Sequence, residues 1–379
     1  MADFDIHSTA GRLEALRRML TIRAFDEEAG DRFADGEIPG FVHLYIGEEA
    51  VGVGTCAALD PDDYIASTHR GHGHCIAKGL DPKYMMAELY GKAEGYCNGK
   101  GGSMHIADVD AGMLGANGIV GAGPPMATGA ALSIDYQDRD QVAVGFLGDG
   151  AVAQGQVHEA INLASTWDLP AVFVVENNQY GEGTPVEKQH NVDNLSDTAQ
   201  AYDIPGLTVD GMDITAVEEG VAEARERATA GEGPTLVEAE TYRYRGHYEG
   251  DEEPYRDDAE IQRWKDRDPI DSFKERLIDR GELTEEEFDD LQAEVEAEIE
   301  AAVEYAQEAD RPTPDEAYDD MFAEMPPEIE RFATAARARP DGGERISDSR
   351  SSSAQSSDGG ERSSSAHGSD DGRQGGDRR

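Results

Sequence analysis

Asp149 stands between Gly148 and Gly150 at the end of the apolar run QVAVGFL, and Asn177-Asn178 closes a second apolar run, AVFVVE. Carboxylate and amide oxygens are hard ligands. Two of them at one point suit magnesium, which keeps its other positions for water and phosphate oxygens. These residues therefore point to a metal-bridged phosphorylated ligand. Gly148 and Gly150 let the backbone approach such a ligand, and free N–H groups at the start of a following helix would face its phosphates. Gly148, Gly150 and Ala153 also satisfy a loose G-x-G-x-x-A dinucleotide pattern. A carboxylate between the glycines repels a bare pyrophosphate, whereas a metal there turns repulsion into attraction. The metal-diphosphate reading is preferred to a dinucleotide site and to a turn without a ligand.

Elements must bring these groups together. QVAVGFLGDG, AVAQGQVHEAINLASTWDLP and AVFVVENN read as strand, helix and strand, with Val157, Ile161 and Ala164 on one helix face. Continuous apolar strands imply a parallel sheet covered on both faces. A right-handed crossover then sets both strand C-termini on one edge, where ligands bind. IPGLTVDG, ITAVEEGVAEARERATA and GPTLVEAETYRY repeat the pattern. The expected fold is α/β, a three-layer, doubly wound, mostly parallel sheet with added helices.

An amphipathic helix is expected at Leu13, Leu16, Leu20 and Phe25, capped by Ser8 or Thr9. Between Gly40 and Gly123, the segments GFVHLYIGEEA, STHRGHGH and NGKGGSMH read as loops between short helices rather than as strands. Thr284 and Glu287 form a capping box ahead of Phe288, Leu291, Val295, Ile299 and Val303. One domain is expected over 1–335, helical from about 257, and a disordered Ser/Gly/Asp/Arg tail over 336–379, which has too little apolar surface to offset ordering entropy.

The 379 residues carry 80 Asp and Glu against 33 Lys and Arg, a net charge of −47. That balance argues against nucleic acid or an anionic membrane as partner and suits a salt-adapted surface. Cys56, Cys75 and Cys97 form neither a disulfide framework nor a zinc spacing. No apolar stretch reads as a membrane span or signal peptide, so a cytoplasmic protein is expected. His69, His72 and His74 lack the cysteine or carboxylate that would complete a metal set, and no second metal is expected.

GDGAVAQGQ through VVENNQYGEGTP resembles the thiamine-diphosphate signature in alpha subunits of 2-oxoacid and acetoin dehydrogenases. GFVHLYIGEEAVGVG, GKGGSMH, GANGIVGAGPPMATGAA and TYRYRGHYEG are similar to segments of the same family, in the same order, from about residue 10 to about residue 325. The resemblance implies the thiamine-diphosphate-binding fold, with thiamine diphosphate and Mg2+ as cofactors. It implies Asp149, Asn178 and the Tyr180 carbonyl as metal ligands. Gly148, Gly150, Ala151, His69, Arg70 and Arg243 would surround the diphosphate, and backbone at Gly118 and Val120 the aminopyrimidine. His247 would touch the cofactor and act catalytically as a hydrogen-bond donor; His69 stands where many relatives have Tyr.

The implied partners are a beta subunit, in an alpha2-beta2 heterotetramer, and a lipoyl-bearing acyltransferase core. The beta subunit would supply the carboxylate that the aminopyrimidine needs. The implied activity is an oxidoreductase of the pyruvate dehydrogenase type that decarboxylates a 2-oxoacid, pyruvate first, and passes the acyl group to a lipoyl disulfide. HIADVDAGMLGANGIVGAG and GHYEGDEEPYR look closer to acetoin dehydrogenase, the alternative. A non-catalytic, magnesium-diphosphate-binding regulatory subunit is the reading from a different class.

Overall fold

The two strongest apolar runs fold as neighbouring strands at the centre of a sheet. Among the described residues the strands are, in chain order, β1 (Tyr64–Ala66), β2 (Met113–Gly115), β3 (Ala143–Gly148), β4 (Ala171–Asn177), β5 (Tyr180–Gly181), β6 (Thr184–Pro185), β7 (Gly206–Asp210) and β8 (Thr235–Glu240). The main sheet has six strands in the order β2-β1-β3-β4-β8-β7, with every neighbouring pair parallel, while β5 and β6 make a small antiparallel hairpin.

Strand alternation explains the layers. Val144, Phe146, Val172 and Val174 point into one core, which also takes residues of the helices Thr9–Ala34, Glu49–Ala57 and Ile214–Thr229. Ala143, Leu147, Phe173 and Val175 point into the other, closed by the helices Gly123–Tyr136 and Gly155–Thr166. Both faces are thus dry, as uninterrupted apolar strands require. Each buried Phe or Val contributes roughly 1.5–3 kcal/mol relative to exposure. This is the α/β sandwich expected from the sequence.

The computed structural model describes residues 4–327, 329–331 and 334, and the tail expected over 336–379 lies outside the described residues. A first compact unit runs to Thr313; a second begins at Pro314 with the short 3-10 turn Pro314–Tyr318. Ser8 caps the first helix by accepting from Gly11 N. Thr284 and Glu287 close the capping box of the helix Glu285–Glu308. The helices Asp258–Lys265 and Pro269–Asp279 precede it.

The region between Gly40 and Gly123 departs from the expectation. β1 and β2 are strands there, three residues each, too short for any alternation to show. The segment GHGH opens the helix Gly71–Lys78 instead of remaining loop. Its glycines are there for close packing. A Cβ on Gly73 would lie 2.1 Å from Cδ1 of Tyr45, and one on Gly71 2.6 Å from Ala116 Cβ.

Candidate active site

Asp149 is the first residue beyond β3, and Asn178 the first beyond β4. The register pairs Gly148 with Glu176, so the two strands end together and their following residues share one sheet edge. A cavity of about 240 Å³ opens there. Its wall includes His69, Arg70, Val120, Gly148, Asp149, Gly150, Ala151, Asn178, Tyr180, Arg243 and His247. Of the residues singled out from the sequence, Gly118 is not in this wall; the nearest atoms to its Cβ position belong to Met104 and His105.

The oxygens in this cavity fit a hard cation. Asp149 Oδ1 accepts from Gly150 N at 2.7 Å, but Oδ2 is buried without a partner among the described residues. Asn178 Nδ2 donates to Glu48 Oε1 at 3.1 Å and Oε2 at 3.2 Å, which leaves Asn178 Oδ1 as a second buried oxygen without a partner among the described residues. A buried polar atom without a partner costs about 1–3 kcal/mol, and a cation shared by two such oxygens removes that penalty. Burial also holds the Asp149 carboxyl up at about 6. A bound cation would reverse that shift.

Tyr180 follows Gln179, whose φ of 76° lies in the left-handed region. This turn carries the chain from β4 into the β5 hairpin, and the Tyr180 carbonyl accepts from Arg243 Nη1 at 3.2 Å. The Tyr180 hydroxyl donates to Glu260 at 2.9 Å. The helix after Asp149 starts only at Gly155, with the 3-10 turn Asp149–Ala151 in between. The amide next to the Asp149 carboxylate is therefore a turn N–H, not the helix terminus anticipated from the sequence.

The basic residues are rigidly held. Arg243, 1% exposed, donates from Nε to Arg245 O, from Nη1 to Tyr180 O, and from Nη2 to Glu182 O and the Tyr255 hydroxyl. Four of the five guanidinium hydrogens are thus used, and one on Nη1 is left. Arg70 donates from Nη1 to Leu44 O at 2.9 Å and from Nη2 to His247 O at 2.7 Å, with His247 Nδ1 at 3.2 Å. The His247 amide in turn donates to Asp251 Oδ2 at 2.9 Å, which also receives the Tyr255 hydroxyl at 2.6 Å. Burial, followed by the charges of Arg70 and Arg243, pulls His247 down to about 4 and keeps it neutral.

His72 and His74 leave the cavity for the core. His72 bridges Asp26 at 2.6 Å and Ser103 at 2.9 Å; His74 bridges Ser67 at 2.7 Å and Glu176 at 2.9 Å. Tyr45 also donates its hydroxyl to Glu176. Sequence reasoning passed over Glu48, Glu176 and His43. Glu48 is fully buried beside Asn178, and burial together with Glu176 raises its carboxyl above the usual range. His43 packs edge-on against His69 and His247.

Known proteins align with this arrangement along most of the chain. Residues 17–315 match the family model described as dehydrogenase E1 component. The alpha subunit of acetoin:2,6-dichlorophenolindophenol oxidoreductase from Bacillus subtilis (strain 168) is 51% identical over 307 residues, 81% of this chain and 92% of the relative. Its counterpart from Cupriavidus necator is 49% identical over 311 residues, 82% and 93% of the two chains. The alpha subunit of the pyruvate dehydrogenase E1 component from Rhizobium meliloti (strain 1021) is 42% identical over 311 residues, 82% and 89%. The match spans both strands whose ends carry Asp149 and Asn178, and it extends through Arg243 and His247. On the sequence match, with a sheet consistent with it, the chain belongs to the dehydrogenase E1 component family.

Proposed function

We propose that this chain is the alpha subunit of a thiamine-diphosphate-dependent dehydrogenase that cleaves the bond beside a carbonyl and passes the acyl group to a lipoyl carrier. The observation that carries this reading is the pair of buried, unpartnered oxygens, Asp149 Oδ2 and Asn178 Oδ1, in one cavity at the C-terminal edge of a parallel sheet. Bound there with Mg2+, thiamine diphosphate supplies the carbanion chemistry.

The chain's own residues bind and orient. Asp149, Asn178 and the Tyr180 carbonyl would hold the metal. The remaining Nη1 hydrogens of Arg70 and Arg243, with His69 and the Gly148–Ala151 turn, would meet the diphosphate. Val120 and Gly118 would support the aminopyrimidine through backbone. The Val120 carbonyl already accepts from Gln156 at 2.8 Å, which fixes that loop. His247 would offer an N–H to the substrate's carboxylate or developing oxyanion.

Among the described residues no helix is long and apolar enough to cross a membrane. A cytoplasmic alpha2-beta2 assembly with a beta subunit, feeding a lipoyl-bearing acyltransferase core, is part of the same reading. Pyruvate is the substrate taken first. Acetoin is the second reading, favoured by 51% and 49% identity to acetoin-oxidising subunits against 42% to the pyruvate type.

The test is to combine the chain with its beta partner, Mg2+ and thiamine diphosphate in high salt, and to follow dye reduction with pyruvate, branched 2-oxoacids and acetoin. Activity that needs both chains and disappears in Asp149→Ala supports the proposal and names the substrate. Turnover by the isolated chain, or activity that survives Asp149→Ala, overturns it.

A further inference from the structure

Three histidines from distant segments meet beside the cavity: His43 from the loop before the helix Glu49–Ala57, His69 after β1 and His247 after β8. Their ring centroids lie 4.8, 5.2 and 5.4 Å apart, and one ring nitrogen of each lies within 4.8 Å of the others. His43 is 8% exposed, and its Nδ1 is buried with no hydrogen-bond partner among the described residues. His69 and His247 line the cavity. A cluster of this kind can simply be aromatic packing, but packing does not account for a buried ring nitrogen left without a partner beside two other imidazoles.

We propose that His43, His69 and His247 form a site for a transition-metal dication of the zinc class, with a further coordination position open to the cavity. Three imidazoles plus one open position is an arrangement this class of ion accepts. It does not suit the magnesium chemistry of Asp149 and Asn178, which asks for oxygen. Burial keeps all three rings neutral, with His43 at about 3 and His69 well below the usual imidazole range, so each ring keeps one lone pair for a metal. Metal–nitrogen bonds near 2 Å would draw the ring nitrogens to about 3.4 Å of one another.

Two features limit the affinity. Arg70 donates to His247 Nδ1, so His247 coordinates through Nε2 only when its proton moves to Nδ1 and Arg70 rests on the His247 carbonyl it already holds at 2.7 Å. The charges of Arg70 and Arg243 also oppose a dication. The site is therefore reversible. A dication there takes space at the wall that holds Asp149 and Asn178 and, on the proposed reading of that wall, competes with the diphosphate ligand.

The test uses Co2+ with the full-length chain and no other cofactor. Tetrahedral Co2+ with nitrogen ligands absorbs visibly, and this absorption should titrate with one equivalent and vanish when Zn2+ is added. Affinity should fall at least about tenfold in His43→Gln and in His69→Tyr, and stay unchanged in Asp149→Ala. His69→Tyr keeps an aromatic ring on the wall and preserves the test if His43→Gln does not fold. Absence of the absorption, its persistence in both histidine variants, or its loss in Asp149→Ala overturns the site. Because the readout needs no turnover, it stands apart from failure of the proposed activity.

Discussion

Arg70 holds His247 at two points, its carbonyl at 2.7 Å and its ring nitrogen Nδ1 at 3.2 Å. A guanidinium has no acceptor, so Nδ1 must be the lone-pair nitrogen and the ring proton sits on Nε2. A single contact thus sets which side of the imidazole can donate. Arg70→Lys keeps the charge but loses the second nitrogen, Nη1, whose bond to Leu44 O holds Nη2 against both points. It should lower kcat of the assembled enzyme about tenfold, ~1.4 kcal/mol in the transition state, with a smaller change in KM. Unchanged kcat would show that the tautomer does not matter.

The loop after β8 hangs on the Tyr255 hydroxyl, which accepts from Arg243 at 3.0 Å and donates to Asp251 at 2.6 Å. Tyr255→Phe removes both bonds while keeping the ring. Stability should drop by roughly 1 kcal/mol, and proteolysis should cut within 246–256 sooner than in the parent chain. Equal cleavage rates would mean that the loop is held by other contacts.

Gly73, in the helix Gly71–Lys78, sits against the Tyr45 ring, which leaves no room for a methyl there. Gly73→Ala should displace Tyr45 from Glu176 and destabilise the fold by roughly 1–3 kcal/mol, visible as a lower denaturant midpoint. A neutral result would show that the helix can slide.

His43 is held near about 3, against about 6.5 for an unfolded histidine. Its folded pKa is depressed, so the unfolded chain binds the extra proton. The stability from keeping it neutral is complete above about pH 6.5 and is lost as pH falls toward about 3. Comparing the parent with His43→Gln isolates this contribution from the buried acids Asp149 and Glu48, whose raised values act with opposite sign. The parent's Tm advantage should shrink between pH 7 and pH 5. A constant difference would place the titration of His43 elsewhere.

The helix Glu285–Glu308 has Glu285, Glu286 and Glu287 in its first turn and carries no Lys or Arg. Arg17 answers Glu294 and Glu298 at 3.2 and 2.8 Å, and Lys274 answers Glu285 at 2.6 Å. Against a net charge of −47 this relief is small. Raising KCl from tens of millimolar to molar, where the screening length falls to about 3 Å, should raise Tm. A flat or falling response would contradict a salt-adapted surface.

The central fold was legible because β3 and β4 are long, apolar and joined by an amphipathic helix, so the sheet edge that carries Asp149 and Asn178 followed from pattern alone. β1 and β2 were not legible, since three residues hold no period. Glu48 and Glu176 were hidden for another reason. In a chain with 80 acidic residues, nothing local marks the few that turn inward. His43 lay in a segment with no periodicity, and its approach to His69 and His247 is made by tertiary structure only.

Arg243 has a consequence for how fast and how tightly the cavity can take a ligand. A free arginine side chain carries about 2 kcal/mol of rotamer entropy that an incoming anion must quench. Here three carbonyls and a phenol have quenched it during folding. The arriving ligand meets a wall already in its final shape, so the affinity at this position comes from enthalpy and desolvation, with almost no ordering left to do.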